Sequence, residues 1–233
     1  MYFSLWIWIC LILFENSQCG DAIHFGKIPE EGQFKYMAAI FYNSCYQCGG
    51  TIIDDRHILT AAHCVFDREV QGLVVLVGTV DLQSTRPRRW QDFLPKNDIA
   101  VLTLTDSIVL GDKATPVMLP SDDALPYCAA IPFAGWGTME NDPVDSLARF
   151  MNFNIISAEV FKEYDLASSE NQFDAADFTG RSKVDKGDSG GPLVHNNIVY
   201  GILSTGWSSH LGNSAIFTQV YGHLDFIKNA TRA

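Results

Sequence analysis

The sequence predicts an all-β protein in which many short strands form a sandwich or a barrel. Short apolar runs, rich in β-branched and aromatic residues, alternate with turn residues along the 233-residue chain. Six of these runs predict strands, at 36–42, 72–80, 99–105, 150–156, 198–204 and 215–220. Asn196-Asn197 separates two apolar triplets and predicts a tight hairpin turn, because asparagine tolerates a positive φ.

Helix is predicted in two places only. Ser157 is suited to cap a short helix that extends to Tyr164. Val220, Leu224 and Ile227 form one apolar stripe at helical spacing near the end of the chain.

Composition and charge exclude several classes of protein. The chain is 47% hydrophobic and 18% charged, which excludes a disordered chain. Its formal net charge of −11 disfavours nucleic acid and anionic membrane surfaces as partners. The one basic cluster, Arg86, Arg88 and Arg89, is interpreted as a solvated loop rather than as a binding exosite.

The first residues predict secretion. The apolar run at 1–14 is shorter than the ~20 residues that span a membrane, and small and polar residues follow it. We interpret 1–22 as a signal peptide and 23–233 as the mature extracellular domain, which leaves no membrane association after cleavage. Cleavage after Cys19 would instead leave a very short propeptide, and an uncleaved anchor is the remaining alternative. Asn229-Ala230-Thr231 predicts N-glycosylation at Asn229.

Three motifs indicate nucleophilic catalysis. Ser189 lies in Gly-Asp-Ser-Gly-Gly-Pro, His63 in Thr-Ala-Ala-His-Cys, and Asp98 in Asn-Asp-Ile-Ala. A serine hydroxyl is a poor nucleophile at neutral pH and needs a neighbouring base, for which imidazole is suited. His, Asp and Ser in this chain order are known for a serine with its base and the group that orients the base. The sequence therefore predicts His63, Asp98 and Ser189 as catalytic residues.

With these motifs the chain resembles the chymotrypsin/trypsin-like serine peptidases of the S1 family, from Ile23 to the C-terminus. The resemblance implies two antiparallel six-stranded β-barrels, a C-terminal helix, a cleft between the barrels and no cofactor. It implies an oxyanion hole formed by the N–H groups of Gly187 and Ser189. It also implies that Asp188 pairs with the α-ammonium of Ile23 once the chain is cut before that residue.

The implied specificity pocket departs from the family. Its floor is Lys183, where tryptic members carry aspartate, and its walls include Ser204, Gly206 and Ala215. A buried unpaired ammonium is costly, so Lys183 must find an acid such as Asp185, deprotonate or point outward. We expect non-tryptic specificity, either for acidic residues or, preferably, for small or apolar ones, since Ala215 replaces a glycine and narrows the pocket.

The cysteines also depart from the family. Cys48 and Cys64 match a family disulfide, which is expected in an oxidising compartment. Two further cysteines of the mature chain, Cys45 and Cys128, are then left to pair with each other. No set of ligands has the spacing of a zinc site, so no metal is predicted.

The segment between His63 and Asp98 is shorter than in family members. Asp98 follows His63 by 35 positions, and the loss lies between Trp90 and Pro95, where a strand and its loop belong. The first barrel is therefore predicted to lack a strand or to close differently, unless the gene model is incomplete.

Together these observations predict a secreted, monomeric serine endopeptidase that hydrolyses proteins or peptides through an acyl-enzyme. Protein protease inhibitors are further partners that the resemblance implies. The alternative is a non-catalytic homologue that acts as a binding or regulatory protein. The complete triad favours the enzyme, whereas Lys183 and the short first barrel favour the alternative.

Overall fold

The computed structural model of the chain describes residues 23, 26–82, 97–127, 129–137, 147–157, 170–209 and 212–232. In these residues the fold is two antiparallel sheets with little helix. The predicted fold class is confirmed. The predicted helix after Ser157, the shortened segment between Trp90 and Pro95, and Cys128 lie outside the described residues.

The first sheet contains five strands within the described part of the chain, in the order β4-β1-β2-β3-β5. These strands are β1 (Met37–Tyr42), β2 (Cys45–Ile52), β3 (His57–Thr60), β4 (Leu73–Val77) and β5 (Ala100–Thr103). The pairing shifts between Ile40–Cys48 and Phe41–Tyr46, so Gln47 is an extra residue in β2 and forms a bulge that bends this strand. All three strands predicted in this half are present, and β4 and β5 are shorter than predicted.

Among the residues that the structure describes, the second sheet contains six strands in the order β6-β7-β8-β11-β10-β9. These strands are β6 (Ile131–Gly135), β7 (Arg149–Ile155), β8 (Gln172–Asp177), β9 (Pro192–His195), β10 (Ile198–Ser209) and β11 (Gly212–Gln219). Its interior is aromatic. Phe133, Phe153 and Phe217 are fully buried and meet edge to face, with ring centroids 5.4–5.9 Å apart.

The predicted hairpin joins β9 to β10. His195 pairs with Ile198, so Asn196 and Asn197 are the two loop residues. Their φ angles are 51° and 62°, which are the positive values that a type I′ turn requires at both central positions. This prediction is confirmed residue by residue.

One apolar cluster connects the two sheets. Cys48, Leu59 and Ile99 of the first half pack with Val199 and Ile202 of the second. The candidate site residues described below lie at this junction, where backbone from both sheets is held in place by the shared core.

The C-terminal helix closes the same cluster. A 3₁₀ turn (Tyr221–His223) leads into the helix α2 (Leu224–Ala230), and Val220 and Ile227 are fully buried while Leu224 is partly buried. The predicted apolar stripe is confirmed. None of the helices in the described residues has the length and apolar character needed to cross a membrane.

Candidate active site

His63 and Asp98 are brought together by the pairing of two strands. His63 lies in α1 (Ala62–Val65), a single turn that follows β3, and Asp98 lies just before β5. Because Thr60 pairs with Ala100, the end of β3 lies beside the start of β5. The fully buried Asp98 accepts hydrogen bonds from His63 Nδ1 at 2.6 Å and from the His63 backbone N–H at 2.9 Å. This contact fixes the ring plane and leaves Nε2 as the basic nitrogen.

Ser204 completes the set of donors to this carboxylate. Its hydroxyl donates to Asp98 Oδ2 at 2.7 Å, and its side chain is buried. Ser204 lies on β10, so the Asp98 carboxylate ties the second sheet to the first. The sequence analysis placed Ser204 only in the wall of the specificity pocket and missed this contact, since no local pattern connects residues 106 positions apart.

Ser189 lies on a loop that both sheets anchor. Its carbonyl oxygen accepts from the Gly49 N–H at 2.8 Å, and the Gly190 N–H donates to the Leu203 carbonyl at 2.8 Å. Gly190 has a φ of 78°, and a Cβ there would collide with the Gly49 carbonyl, so only glycine fits. The Ser189 hydroxyl donates to the Ser204 carbonyl at 3.5 Å and makes no hydrogen bond to His63. The side chain must move to reach its base.

The two amides expected to form the oxyanion hole are available. Within the described part of the chain, the backbone N–H groups of Gly187 and Ser189 have no hydrogen-bond acceptor. Gly187 has a φ of 96°, and its carbonyl accepts from the Tyr46 hydroxyl at 2.8 Å. The next amide, that of Asp188, donates to the Asp185 carbonyl at 3.0 Å. Hydrogen bonds therefore hold both the carbonyl and the N–H group of the peptide unit between Gly187 and Asp188.

Asp188 is a buried carboxylate without a cation among the described residues. It accepts from the Gly137 N–H at 2.8 Å and from the Asp185 N–H at 2.9 Å. Burial raises its pKa to about 8, and the two backbone hydrogen bonds only partly oppose that rise. Ile23 is also fully buried and belongs to the cluster of Phe133 on β6. Gly135, at the end of the same strand, lies against the Asp188 carboxylate.

Of the three alternatives predicted for Lys183, the structure shows the one in which the side chain points outward. Lys183 is exposed, so its ammonium points outward and does not form a buried pocket floor. Water solvates the charge there, which avoids the desolvation cost. Gly206 and Ala215 are paired residues of β10 and β11. A Cβ placed on Gly206 would overlap the side chain of Val184, which the sequence analysis did not single out.

One predicted disulfide is present and the other is not. Cys48 and Cys64 form a disulfide that ties β2 to α1, directly beside His63. Cys45 is a free thiol, so the predicted Cys45–Cys128 pairing is wrong in this structure. That pairing rested on elimination alone, with no geometric requirement behind it. His63 and the two bonded sulfurs lie within 4.8 Å of one another, but a disulfide offers no thiolate to a metal.

Comparisons with known proteins agree with this arrangement. The family model described as Trypsin matches residues 23–227. Brachyurin from Leptuca pugilator is 31% identical, over 84% of this chain and 92% of its own. Chymotrypsin-2 from Vespa crabro is 28% identical, over 87% of this chain and 97% of its own. The solved structure of human heparin binding protein has a TM-score of 0.72 and 24% identity, with 88% of this chain and 95% of that chain covered.

The two antiparallel sheets and the site with His63, Asp98 and Ser189 therefore define the class of the protein as a serine protease. The chain belongs to the trypsin family.

Proposed function

We propose that this chain is a secreted serine endopeptidase that hydrolyses peptide bonds through an acyl-enzyme on Ser189. One observation carries the proposal. The buried Asp98 carboxylate accepts three hydrogen bonds, two from His63 and one from the Ser204 hydroxyl. A carboxylate held in this way keeps the proton on Nδ1, so Nε2 is the base that the nucleophile requires.

The reaction follows from these positions. His63 Nε2 takes the proton of Ser189 Oγ as the oxygen attacks the substrate carbonyl carbon. The negative charge on the carbonyl oxygen is stabilised by the N–H groups of Gly187 and Ser189. The imidazolium, stabilised by Asp98, then gives its proton to the departing amine. Water, activated by the same nitrogen, hydrolyses the acyl-enzyme and frees Ser189.

We further propose that Ile23 is the mature N-terminus and Asp188 its partner. A cut after Ala22, by signal peptidase or by another protease, frees an α-ammonium on a residue that is already buried next to β6. Opposite charges stabilise each other strongly where water is excluded, and Asp188 has no other cation in the described residues. The pair would hold Asp188 ionised and keep the adjacent amide of Ser189 in position.

A serine-directed fluorophosphonate probe tests the activity. The secreted protein should be labelled, and Ser189→Ala should abolish labelling. His63→Ala should lower the labelling rate by about 10²- to 10⁴-fold, which is the usual contribution of a general base. His57→Ala is the matched control, because His57 Nδ1 also contacts an aspartate, Asp54, at 2.8 Å but faces no serine. Equal losses in both histidine variants would contradict the proposed role of His63.

A binding protein without catalytic activity is the second candidate. It is favoured by the Ser189 hydroxyl, which contacts the Ser204 carbonyl instead of His63, and by the Val184 side chain against Gly206. The name of the solved neighbour concerns heparin, but a net charge of −11 opposes binding of a polyanion by this chain. A folded, correctly processed protein that the probe fails to label would favour this candidate over the enzyme.

A further inference from the structure

We infer that His223, the last residue before the helix α2, is a positioning residue for the catalytic aspartate and acts through Asn97, the residue directly before Asp98. The inference rests on the proposed function, because it concerns turnover at the same site. It gives the C-terminal part of the chain a role in that site.

The first observation is the conformation of Asn97. Its φ is 59°, in the left-handed region that asparagine tolerates better than most residues. Its carbonyl accepts a hydrogen bond of 2.9 Å from the Ile99 N–H, which closes a three-residue turn with Asp98 at its centre. The direction of the Asp98 carboxylate toward His63 therefore depends on the conformation that Asn97 keeps.

The second observation is the contact that holds the Asn97 side chain. His223 Nε2 lies 3.1 Å from Asn97 Oδ1, and His223 Nδ1 lies 2.8 Å from the Gln219 carbonyl. A carbonyl oxygen only accepts, so Nδ1 carries a proton. When the ring is charged, Nε2 donates to Oδ1. When the ring is neutral, Nε2 accepts from the amide nitrogen after a half-turn of the amide, so the contact is possible in both charge states.

The third observation is that the histidine is the fixed partner. His223 is only 9% exposed, whereas Asn97 is exposed. The His223 N–H donates to the carbonyl of Val220 at 3.0 Å, and Val220 is fully buried. Val220 and Ile99 both belong to the apolar cluster that connects the two sheets. Among the residues that the structure describes, His223 makes the one hydrogen bond to the Asn97 side chain.

Steady-state kinetics of the mature secreted protein tests the inference. His223→Phe keeps a ring and removes both polar contacts, and it should lower kcat about 3- to 10-fold, the range that the loss of one hydrogen bond corresponds to. KM should change little, because the orientation of the base matters mainly in the transition state. His223→Gln keeps a polar group near the position of Nε2 and should recover most of the loss.

His57→Phe is the matched control. His57 is also 9% exposed, and its Nδ1 contacts the side chain of Asp54, but within the described residues it makes no hydrogen bond to Asn97 or Asp98. This variant should leave kcat unchanged. An equal loss of kcat in His57→Phe would overturn the inference, and so would wild-type kcat in His223→Phe.

A double-mutant cycle tests whether the effect depends on Asn97. Asn97→Gly tolerates the positive φ and removes the amide, so it should lower kcat at least as much as His223→Phe. Both substitutions remove the same contact, and the double variant should therefore be no slower than Asn97→Gly alone. Losses that multiply in the double variant would overturn the inference.

Proton NMR separates this inference from the proposed function. In the Ser189→Ala background, the proton between His63 Nδ1 and Asp98 should give a low-field resonance, assigned by its absence after His63→Ala. His223→Phe should accelerate exchange of this proton with water by about 3-fold or more, and His57→Phe should not. Unchanged exchange in His223→Phe would overturn the inference. Accelerated exchange in a protein that the fluorophosphonate probe fails to label would instead remove the proposed enzyme and leave the positioning of Asp98 as described.

Discussion

The Tyr46 hydroxyl donates a hydrogen bond of 2.8 Å to the carbonyl of Gly187, whose own N–H is proposed to stabilise the oxyanion. Tyr46 is fully buried and packs edge to face with Phe41 and Trp136, so its hydroxyl has a fixed position. The contact fixes the peptide unit between Gly187 and Asp188 and thereby also limits the orientation of the Gly187 N–H. Tyr46 is therefore a positioning residue.

Tyr46→Phe removes only this hydroxyl and should lower kcat about 3- to 10-fold with little change in KM. The oxyanion exists only in the transition state, so a loosened donor affects turnover more than substrate binding. A hydrogen bond of this kind contributes about 1 kcal/mol, which corresponds to that range. Steady-state kinetics with one peptide substrate measures both constants.

Tyr36→Phe is the control for this prediction. Tyr36 is also a tyrosine that packs on the core clusters of the first half, but it is only partly buried, and the hydroxyl that contacts the Gly187 carbonyl is that of Tyr46. Tyr36→Phe should leave kcat unchanged. A rise in KM with unchanged kcat in Tyr46→Phe, or an equal loss of kcat in Tyr36→Phe, would contradict the positioning role.

The candidate site could be predicted from the sequence only where its residues lie in short motifs. His63, Asp98 and Ser189 each have a characteristic local context, and the structure brings His63 and Asp98 into contact. Ser204 and Tyr46 have none. Ser204 contacts Asp98, which is 106 positions away, and Tyr46 contacts Gly187, which is 141 positions away. Only the order of the strands determines those contacts.

The hairpin between β9 and β10 gives a prediction for stability. Asn197 has a φ of 62°, and a β-branched residue in that region is strained. Asn197→Val should destabilise the protein by about 1–2 kcal/mol, whereas Asn197→Gly should be neutral or slightly stabilising. Chemical denaturation of the three proteins measures the difference. Equal stability of the valine and glycine variants would show that the turn does not hold this conformation in solution.

Strands and turns were predictable because their signals are local, but side-chain orientation at the specificity site was not. Asn196-Asn197 specified a turn of two residues, which the structure contains. At the specificity site, adjacent residues on one segment face in different directions. Lys183 is exposed and Val184 packs inward, and position along the chain alone assigned the role to the lysine. The direction depends on contacts with β10 and with the buried Asp188, which no local pattern encodes.

Asn229 gives a prediction for modification. It is exposed in the last turn of α2, in the sequence Asn-Ala-Thr, so an enzyme of the secretory pathway can reach it. The secreted protein should lose mass on treatment with an N-glycosidase, and Asn229→Gln should show no such loss. Asn213→Gln is a control outside any acceptor sequence and should keep the glycan. An unchanged mass of the wild-type protein after treatment would contradict this prediction.

Asp188 gives a prediction for the dependence of stability on pH. Its pKa is about 8 in the folded chain because burial disfavours the charged form, against a usual value of 3.8. Between these two values the folded protein retains a proton that the unfolded chain has lost. The free energy of unfolding therefore decreases as pH rises through this window, by up to about 1.4 kcal/mol per pH unit. This dependence on pH is expected for a form that starts at Gly20. In that form the nitrogen of Ile23 is bonded to Ala22 and carries no positive charge.

A form that starts at Ile23 should behave differently, since its α-ammonium stabilises the ionised Asp188 and lowers the pKa of that carboxyl. Urea denaturation of both forms between pH 5 and pH 8.5 should give a steeper decline for the Gly20 form. In that form, Asp188→Asn should flatten the decline, because an amide does not titrate. Asp177→Asn is the matched control. Its carboxylate is also buried, but it accepts hydrogen bonds from Thr179 and Ser182 on its own turn. Identical pH profiles for the Gly20 and Ile23 forms, with Asp188 present in both, would show that the new N-terminus does not pair with Asp188.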